Sequence, residues 1–431
     1  MFFLGIAVFV LIVFVFFVIG KGTPTRPPGV SQEETELVMW GTFDDIANFE
    51  PSFSAFAAGE GAGTKITYVK KDAATYERDL INALAEGAGP DIFTIQNTWV
   101  LKYLRKVSPA PAALLSLKEM ETAFPTAIIQ DLTVSSSTFA MPLYLDTLAL
   151  YYNKDLFDQA AIAYPPKTWA EFVTAAAKLK RVDTQTGVIT RAGAAFGGSA
   201  KSVNRATDII TMLMMQYGTR MTNPGKDSVS LSGGIGETGK PTAEAALDFY
   251  TRFANPATPF YTWNDAFANS IDAFSDGRAA MMLGYSYHDA IIKAKNPFLN
   301  FAVARAPQQD PEQSFTFPNY WAYTVSRTSK HPDIAWRFLK FMGLQKSEAG
   351  KYTNTAQKPP ALRSLVEEYA NDPNLGIFAQ QAFVARSWQS PNGPEVETIF
   401  SDMLESVLNG RLSAREAISQ AEQKINALFS R

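Results

Sequence analysis

The sequence predicts an α/β protein of two large lobes, or of two or three domains, preceded by a membrane-spanning helix. Three observations support this prediction. Strand-like and helix-like runs alternate along the chain, its 431 residues exceed one ordinary domain, and an unbroken apolar run stands at the N-terminus. Since the order is β-α-β-α, we expect a mostly parallel sheet with helices on both faces.

The N-terminal run, residues 2–20, contains no charged side chain. At 1.5 Å per residue it is about 28 Å long, close to the roughly 30 Å hydrocarbon core of a bilayer. A cleaved secretory signal is the alternative, but the small-residue site Gly20-Lys21-Gly22 contains a lysine. We therefore expect an uncleaved transmembrane anchor over 1–20 and a flexible tether, rich in Pro and Gly, over 21–36.

The next elements alternate as short strands and amphipathic helices. We predict strands over 37–40, 65–70 and 91–96, and helices over 46–56, 76–84 and 98–106. The second of these helices should end at Gly87-Ala88-Gly89-Pro90, because Gly and Pro terminate helices.

Later helices have clear start signals. Thr168 with Glu171, and Ser413 with Glu416, have the spacing of a capping box, in which side chains satisfy free N–H groups at a helix start. Pro332 is suited to the first position of a further helix, expected to end at Gly343. The stretch 218–240 is expected to be a loop or hairpin, followed by a helix over 242–253.

The composition excludes several classes of function. Lys+Arg total 39 and Asp+Glu 42, a net charge of −3, which argues against a nucleic-acid partner. With Cys 0, thiolate metal sites lack their ligands, and His 2 leaves almost nothing from which to build a His-based zinc site or a Ser-His-Asp triad. We expect no cofactor and no metal, and the composition favours binding over catalysis.

One motif resembles a phosphate-binding loop. Gly234 to Lys240 matches G-x-x-x-x-G-K, but Pro241 stands where a Ser or Thr should bind Mg²⁺. A turn before the next helix is the better interpretation. A glycosidase that uses two carboxylates has no fixed spacing and stays open as an alternative.

Aromatic residues make up 13% of the chain, and many follow predicted strands. Ligands of open α/β sheets lie beyond the carboxyl ends of strands, so such residues could line a site that stacks on sugar rings. Core packing is the alternative for each one alone. The residues at these junctions are Trp40, Trp99, Tyr144, Tyr285, Tyr287, Tyr320 and Trp321.

Several segments together resemble the sugar-binding class of bacterial extracellular solute-binding proteins, in its maltose-binding-protein-like branch. They occur in the family's order from about Leu37 to the C-terminus. The matching segments are YERDLINALAEGAGPD (76–91), PLYLDTLALYYNKDLF (142–157), PKTWAEF (166–172), FSDGRAAMM (274–282) and YWAYTVSRTSKHPDIAWRFLKFM (320–342).

The resemblance implies the two-lobed periplasmic-binding-protein fold of type II, with three hinge crossings and a ligand cleft between the lobes. Matching the segments puts the crossings near Tyr144–Thr147, Phe301–Ala304 and Met342–Ser347. The N-terminal lobe would then comprise 37–145 and 303–345, and the C-terminal lobe 146–302 and 346–431.

The resemblance also implies ligand-binding residues. The expected ligand contacts are Trp40, Thr42 and Asp44 after the first strand, Asn97, Thr98 and Trp99 after the third, the acidic hinge residue Asp146, the stacking candidates Tyr285 and Tyr287, and Tyr320, Trp321 and Trp388.

The implied function is capture of a carbohydrate for an ABC importer by a monomeric, membrane-anchored binding protein that is not an enzyme. Its partners would be the sugar and the permease subunits. Its lobes would be extracellular or periplasmic, although Lys21 and Arg26 follow the span, which favours the opposite orientation unless a basic head lies upstream. A surface glycan-degrading enzyme and a receptor that feeds a sensor protein are the alternatives.

Overall fold

The structure is a computed structural model that describes residues 35–236, 239–267 and 269–430. The predicted membrane span and nearly all of the predicted tether over 21–36 lie outside these residues. No helix within the described ranges is long and apolar enough to cross a membrane.

Strands and helices alternate most regularly in the first hundred described residues. The strands are β1 (Thr35–Gly41), β2 (Thr64–Lys70), β3 (Ile92–Gln96), β4 (Val107–Ser108), β5 (Thr133–Val134), β6 (Ser137–Thr138), β7 (Met141–Pro142), β8 (Ala149–Asn153), β9 (Arg181–Val182), β10 (Ile189–Arg191), β11 (Met281–Gly284), β12 (Phe301–Arg305) and β13 (Trp321–Ser326). The helices are α1 (Glu50–Ala58), α2 (Tyr76–Ala85), α3 (Val100–Tyr103), α4 (Leu117–Ala123), α5 (Thr126–Leu132), α6 (Lys154–Gln159), α7 (Trp169–Leu179), α8 (Ala206–Gln216), α9 (Thr242–Thr251), α10 (Ser270–Ser275), α11 (His288–Lys295), α12 (Pro332–Leu344), α13 (Lys346–Ala356), α14 (Arg363–Tyr369), α15 (Gly376–Ala382), α16 (Gly393–Leu408) and α17 (Ala414–Phe429).

The first sheet has the strand order β2-β1-β3-β13-β4. Strand β1 runs parallel to β2 and β3, as predicted, while β13 returns from late in the chain and pairs antiparallel with β3. Leu37 and Met39 of β1 are buried, whereas the alternate residues Val38 and Trp40 are half-buried. The buried side chains around this sheet form a first cluster, from residues 37–145 and 320–385.

The second sheet, β11-β8-β12, is antiparallel throughout. The expectation of a mostly parallel sheet is therefore wrong here. Both β8 and β11 are continuous apolar runs, and such a run predicts burial without indicating the direction of its neighbours. The side chains around this sheet form a second cluster of buried residues, which extends through α16 and α17.

The predicted helix starts are confirmed. Thr168 and Ser413 both accept from the N–H of the glutamate three residues on, whose carboxylate accepts from the cap N–H in return.

The helix predicted over 98–106 is much shorter, a 3-10 turn over Asn97–Trp99 followed by α3. The helix predicted over 46–56 is likewise divided, into a 3-10 turn over Ile46–Asn48 and α1.

Three described segments connect the clusters and hydrogen-bond to one another. Leu148 N–H donates to Phe317 O at 3.0 Å, Asn319 N–H to Asp146 O at 2.9 Å, and Arg386 N–H to Thr316 O at 2.9 Å. The first of these segments coincides with the crossing predicted near 144–147.

The other two predicted crossings fall on different structure. Phe301–Ala304 belongs to β12, which pairs with β8 in the second sheet. Met342–Ser347 joins two helices that pack in the first cluster. We therefore propose revised lobe boundaries, with 35–145 and 319–383 in the first lobe, and 148–317 and 386–430 in the second.

Candidate functional site

A small cavity lies where the two lobes meet. Its volume is about 40 Å³, enough for a few water molecules, since one water needs roughly 10–15 Å³. The first lobe contributes the end of β3, the second lobe contributes the starts of α8 and α16, and a crossing segment lies between them. The lining residues are Gln96, Asn97, Thr98, Arg205, Thr207, Asp208, Thr211, Phe317, Pro318, Asn319, Trp388, Ser390, Gly393, Val396, Glu397 and Phe400.

An aromatic cluster lies next to Gln96, Asn97 and Thr98, the first-lobe residues that line the cavity. Trp321, the first residue of β13, contacts Trp99 edge to face at 5.0 Å and Phe43 at 5.3 Å between ring centroids. Trp99 also stacks on Tyr103 at 5.7 Å. Phe43 is 52% exposed, which leaves its ring free to meet a ligand. Sequence reasoning chose Thr42 and Asp44 and missed Phe43, which lies between them.

The second-lobe wall is charged. Arg205 precedes α8 in a left-handed conformation (φ 58°), and its guanidinium donates to both carboxylate oxygens of Asp208, at 2.9 and 2.7 Å. It also donates to Glu397 of α16 at 3.2 Å. Burial opposes the charge, but the two carboxylates keep the pKa of Arg205 well above its usual value. The sequence analysis did not select Arg205, Asp208 or Glu397, because an arginine that pairs with two carboxylates has no sequence motif.

Asp208 also joins the lobes through the hinge. One of its carboxylate oxygens accepts from the Tyr285 hydroxyl at 2.7 Å and from Asn319 Nδ2 at 3.1 Å. Tyr285 is fully buried, and its ring stacks against that of Tyr287 at 6.0 Å. Tyr287 is 46% exposed, so of these two stacking candidates it is the one with a face available to a ligand.

Asp146 lies buried in the hinge. Its carboxylate accepts from Thr147 N–H at 2.9 Å, from Ser286 N–H at 3.0 Å and from the Ser286 hydroxyl at 2.7 Å. Burial raises the pKa of Asp146 to about 7 in spite of these bonds. Its carboxylate is thus hydrogen-bonded to Thr147 of the crossing segment and to Ser286 of the second lobe, and its role as a ligand contact stays a prediction.

The carboxylate of Asp44 is likewise hydrogen-bonded within the protein. Its carboxylate accepts from Lys358 Nζ at 2.8 Å, from the Tyr352 hydroxyl at 3.0 Å and from the Tyr323 hydroxyl at 3.1 Å. The same Lys358 ammonium lies 4.4 Å from the ring centroid of Tyr144. These contacts fix the loop after β1 against the first lobe, as a structural ion pair would.

Asn97 and Tyr320 converge on a buried carboxylate that the sequence analysis did not consider. Asn97 Nδ2 and the Tyr320 hydroxyl both donate to Asp131 of α5, at 2.9 Å each. Burial raises the pKa of Asp131 to about 7. This cluster positions the end of β3 behind the cavity.

The lobes touch at the start of α16. A Cβ atom built on Gly393 would lie 2.3 Å from Thr98 Oγ1 and 2.9 Å from Trp99 Cδ1. Gln389, just before this helix, donates to Thr133 O of the first lobe at 2.9 Å. A side chain larger than hydrogen at 393 would therefore not fit this arrangement of the lobes.

The structure thus brings together part of the predicted site. Of the predicted contacts, Asn97, Thr98 and Trp388 line the cavity, and Trp99, which follows Thr98, packs against Trp321. Trp40 is not among the lining residues, and Lys71 Nζ lies 3.6 Å from its ring centroid.

Two sheets, two clusters of buried residues and a polar cavity between them define a two-lobed α/β protein with a candidate site between its lobes. The family model for bacterial extracellular solute-binding proteins matches residues 40–349. The chain belongs to this family, which confirms the resemblance seen in its sequence.

Curated relatives cover most of the chain. The galactooligosaccharide-binding protein of Bacillus subtilis is 24% identical over 410 residues, covering 91% of this chain and 89% of the relative. The mannitol-binding protein of Pseudomonas aeruginosa is 23% identical over 319 residues, covering 68% and 69%. These relatives are named as binding proteins rather than as enzymes.

Solved structures share the fold. The cyclic α-maltosyl-1,6-maltose binding protein of Arthrobacter globiformis has a TM-score of 0.74 at 18% identity, covering 92% of this chain and 99% of that chain. An ABC transporter solute-binding protein of Thermotoga lettingae bound to α-D-tagatose has a TM-score of 0.70 at 21% identity, covering 92% and 100%. At these identities the likeness concerns the fold.

Proposed function

We propose that this protein captures a sugar, an oligosaccharide or a related polyol between its lobes and delivers it to an ABC importer. The main support is the interlobe cavity, whose lining combines hydrogen-bonding groups with the rings of Phe317, Trp388 and Phe400. Aromatic faces pack against the CH surfaces of sugar rings, and polar groups take the hydroxyls. The names of the relatives support the same ligand class.

The mechanism is closure of the lobes about the three crossing segments. A ligand drives closure to the extent that it binds the closed state more tightly than the open one. The small cavity indicates that the lobes as described are closed beyond what a sugar-bound cleft requires. Binding would therefore hold them at a wider separation, with ligand in place of direct contacts such as that of Gly393 with Thr98.

A thermal-shift screen over mono- and oligosaccharides and mannitol tests the proposal. A ligand at 100 times its dissociation constant stabilises the protein by about 2.7 kcal/mol, a shift of several degrees. A shift with at least one of these ligands, without release of reducing sugar, is expected. Steady release of reducing ends would instead support the glycan-degrading enzyme.

We further propose that residues 2–20 anchor the protein, with the lobes outside the membrane and 21–36 as the tether. The length and apolarity of the run support this. Protease added to intact cells, stripped of any outer layer, should release a soluble fragment by cutting between 21 and 36. Full protection of the protein would contradict external lobes. Two permease genes beside its own gene would favour the importer over a sensor role.

A further inference from the structure

A chain of hydrogen-bonded side chains runs from the first lobe to the second beside the cavity. It begins at Thr98, whose hydroxyl donates to Gln96 Oε1 at 3.2 Å. Gln96, the last residue of β3, donates from Nε2 to Asn319 Oδ1 at 3.3 Å. Asn319 in turn donates from Nδ2 to Asp208 of the second lobe at 3.1 Å. Donation therefore runs in one direction along the chain, toward Asp208.

The carboxylate of Asp208 sets this direction. An ionised carboxylate can only accept hydrogen bonds, so the amide nitrogen of Asn319 must face it and the amide oxygen must face Gln96. Arg205 Nη2 and the Tyr285 hydroxyl donate to the same carboxylate at 2.7 Å each. Because these partners hold Asp208 within the second lobe, the bond from Asn319 ties that lobe to the first. Hydrogen bonds to an ionised group are also stronger than those between neutral groups.

The main chain of Asn319 is held at the crossing segments. Its N–H donates to Asp146 O at 2.9 Å, and Pro318 directly before it pairs with Thr147. Asn319 therefore cannot follow the second lobe if that lobe turns away from the first. A hydrogen bond is lost once donor and acceptor separate beyond about 3.5 Å, so such a turn breaks the bond to Asp208.

We propose that Asn319 and Asp208 form an interlobe latch, with the Asn319 amide positioned by Gln96, and that this latch holds the ligand-free lobes in the narrow arrangement. A ligand that needs a wider cleft must break the bond, so its contacts have to exceed the free energy of the latch before it is captured. The proposal concerns the empty protein and holds whether or not the ligand is a sugar.

The distance between the lobes in the ligand-free full chain is the direct measurement. Since Cys is 0, Ala73→Cys and Ala200→Cys can carry the only two spin labels, and both alanines are exposed, one in each lobe. Pulsed electron paramagnetic resonance then reports their separation. Asn319 also lines the cavity, so ligand affinity would mix two effects that the lobe distance keeps apart.

Two substitutions by leucine test the roles of the amides. Asn319→Leu removes the bond to Asp208 and should shift the label distances to longer values. Gln96→Leu leaves that bond but frees the amide that makes it, so it should give a smaller shift in the same direction. The double variant should match Asn319→Leu, because Gln96 acts only through Asn319.

Asn319→Asp adds a signature that a loss of packing would not give. At pH 8 the introduced carboxylate can still accept from Gln96 but is repelled by Asp208, so the lobes should separate. At pH 4 a proton shared by the two carboxyls restores the bond, and the distance should return to that of the wild type. Arg205 and Tyr285, which also face Asp208, are the same in both proteins, and the wild type at each pH is the reference.

The matched control is Asn296→Asp. The printed bonds of the Asn296 side chain join it to Ser275 O and Phe298 N–H, both in the second lobe. This substitution should leave the label distance unchanged at both pH values.

Wild-type distances in Asn319→Leu, and in Asn319→Asp at pH 8, would overturn the latch. Equal lengthening of Asn319→Asp at pH 4 and pH 8 would also overturn it, because the distance would not depend on the proton that restores the bond. Longer distances in the Asn319 variants support the latch even if no sugar shifts the melting temperature. A sugar that binds while Asn319→Leu keeps the wild-type distance would support the proposed function and refute the latch.

Discussion

At the scale of single residues, Asp131 predicts an unusual pH dependence. Burial raises the pKa of its carboxyl to about 7 in the folded protein, from 3.8. The unfolded chain therefore loses this proton at lower pH than the folded protein, so the group makes folding less favourable as pH rises from about 4 to 7. Asp131→Asn keeps an oxygen that can accept from Asn97 and Tyr320 and removes the charge. It should match the wild type near pH 4 and be more stable by about 2–4 kcal/mol at pH 8.

Denaturant unfolding of both proteins from pH 4 to pH 8 checks this prediction. Since all other groups are common to the two proteins, the difference between their curves isolates Asp131. A difference that stays constant with pH would show that the pKa of this carboxyl is ordinary in the folded state.

The ion pair of Arg205 with Asp208 predicts a large loss of stability when it is broken. Their side chains are 21% and 9% exposed, and removing one partner of a buried pair costs about 3 kcal/mol or more. Asp208→Asn should therefore lower the melting temperature by several degrees. The matched control is Asp276→Asn, whose pair with Arg278 is 58% and 48% exposed and should matter by less than about 1 kcal/mol. Equal effects of the two variants would refute the structural role given to Asp208.

At the scale of elements, the start of α16 predicts a variant that resists closure. Gly393→Ala places a methyl group against Thr98 and Trp99, and overpacking of this kind costs about 1–3 kcal/mol. Because the contact joins the lobes, the cost falls on the narrow arrangement described here and not on the wider ligand-bound one. The empty protein should therefore have a larger radius of gyration, while the affinity for the best sugar should not fall.

Gly350→Ala in α13 is the control for this substitution. The Cβ at 350 would meet its nearest heavy atom, Leu365 Cδ2, at 3.8 Å, which is ordinary contact, so the radius of gyration of the empty protein should not change. If X-ray scattering finds the same radius of gyration for the empty Gly393→Ala variant as for the wild type, the lobes do not close through this contact.

Local signals predicted many elements well, and long-range pairing explains the failures. Thr168 with Glu171 predicted the start of α7 because a capping box is satisfied within four residues. The antiparallel partners of β8 lie more than a hundred residues downstream. No pattern within β8 specifies their direction.

The site residues also divide into those that a local sequence signal predicts and those that depend on long-range packing. Asn97, Thr98 and Trp99 could be selected because they follow a strong strand, and resemblance to a family supported them. Arg205, Glu397 and Ser390 could not be selected from the sequence, since they line one cavity only because of the way the chain packs. A left-handed arginine before α8 has no sequence signal comparable to that of a glycine.

At the scale of the whole molecule, the buried residues form two separate clusters, one in each lobe. We therefore predict that a bound ligand couples the unfolding of the two lobes. Contacts such as that of Asn319 with Asp208 are few beside the packing within each cluster. Calorimetric scanning without ligand should show a broad or double transition. A saturating sugar contacts both lobes, so it should give a single transition at a higher temperature. A single sharp transition in both conditions would show that the lobes already unfold as one unit.

Titration calorimetry of the wild-type chain with the tightest sugar of the screen, beside Ser390→Ala and Gly393→Ala, tests the central claim most directly. Capture of a sugar between the lobes predicts one site per chain and weaker binding in Ser390→Ala, because Ser390 lines the cavity. Binding should be no weaker in Gly393→Ala, because its methyl group obstructs only the narrower ligand-free arrangement. Wild-type affinity in Ser390→Ala, a loss of affinity in Gly393→Ala, or the absence of binding heat with every sugar would contradict the account.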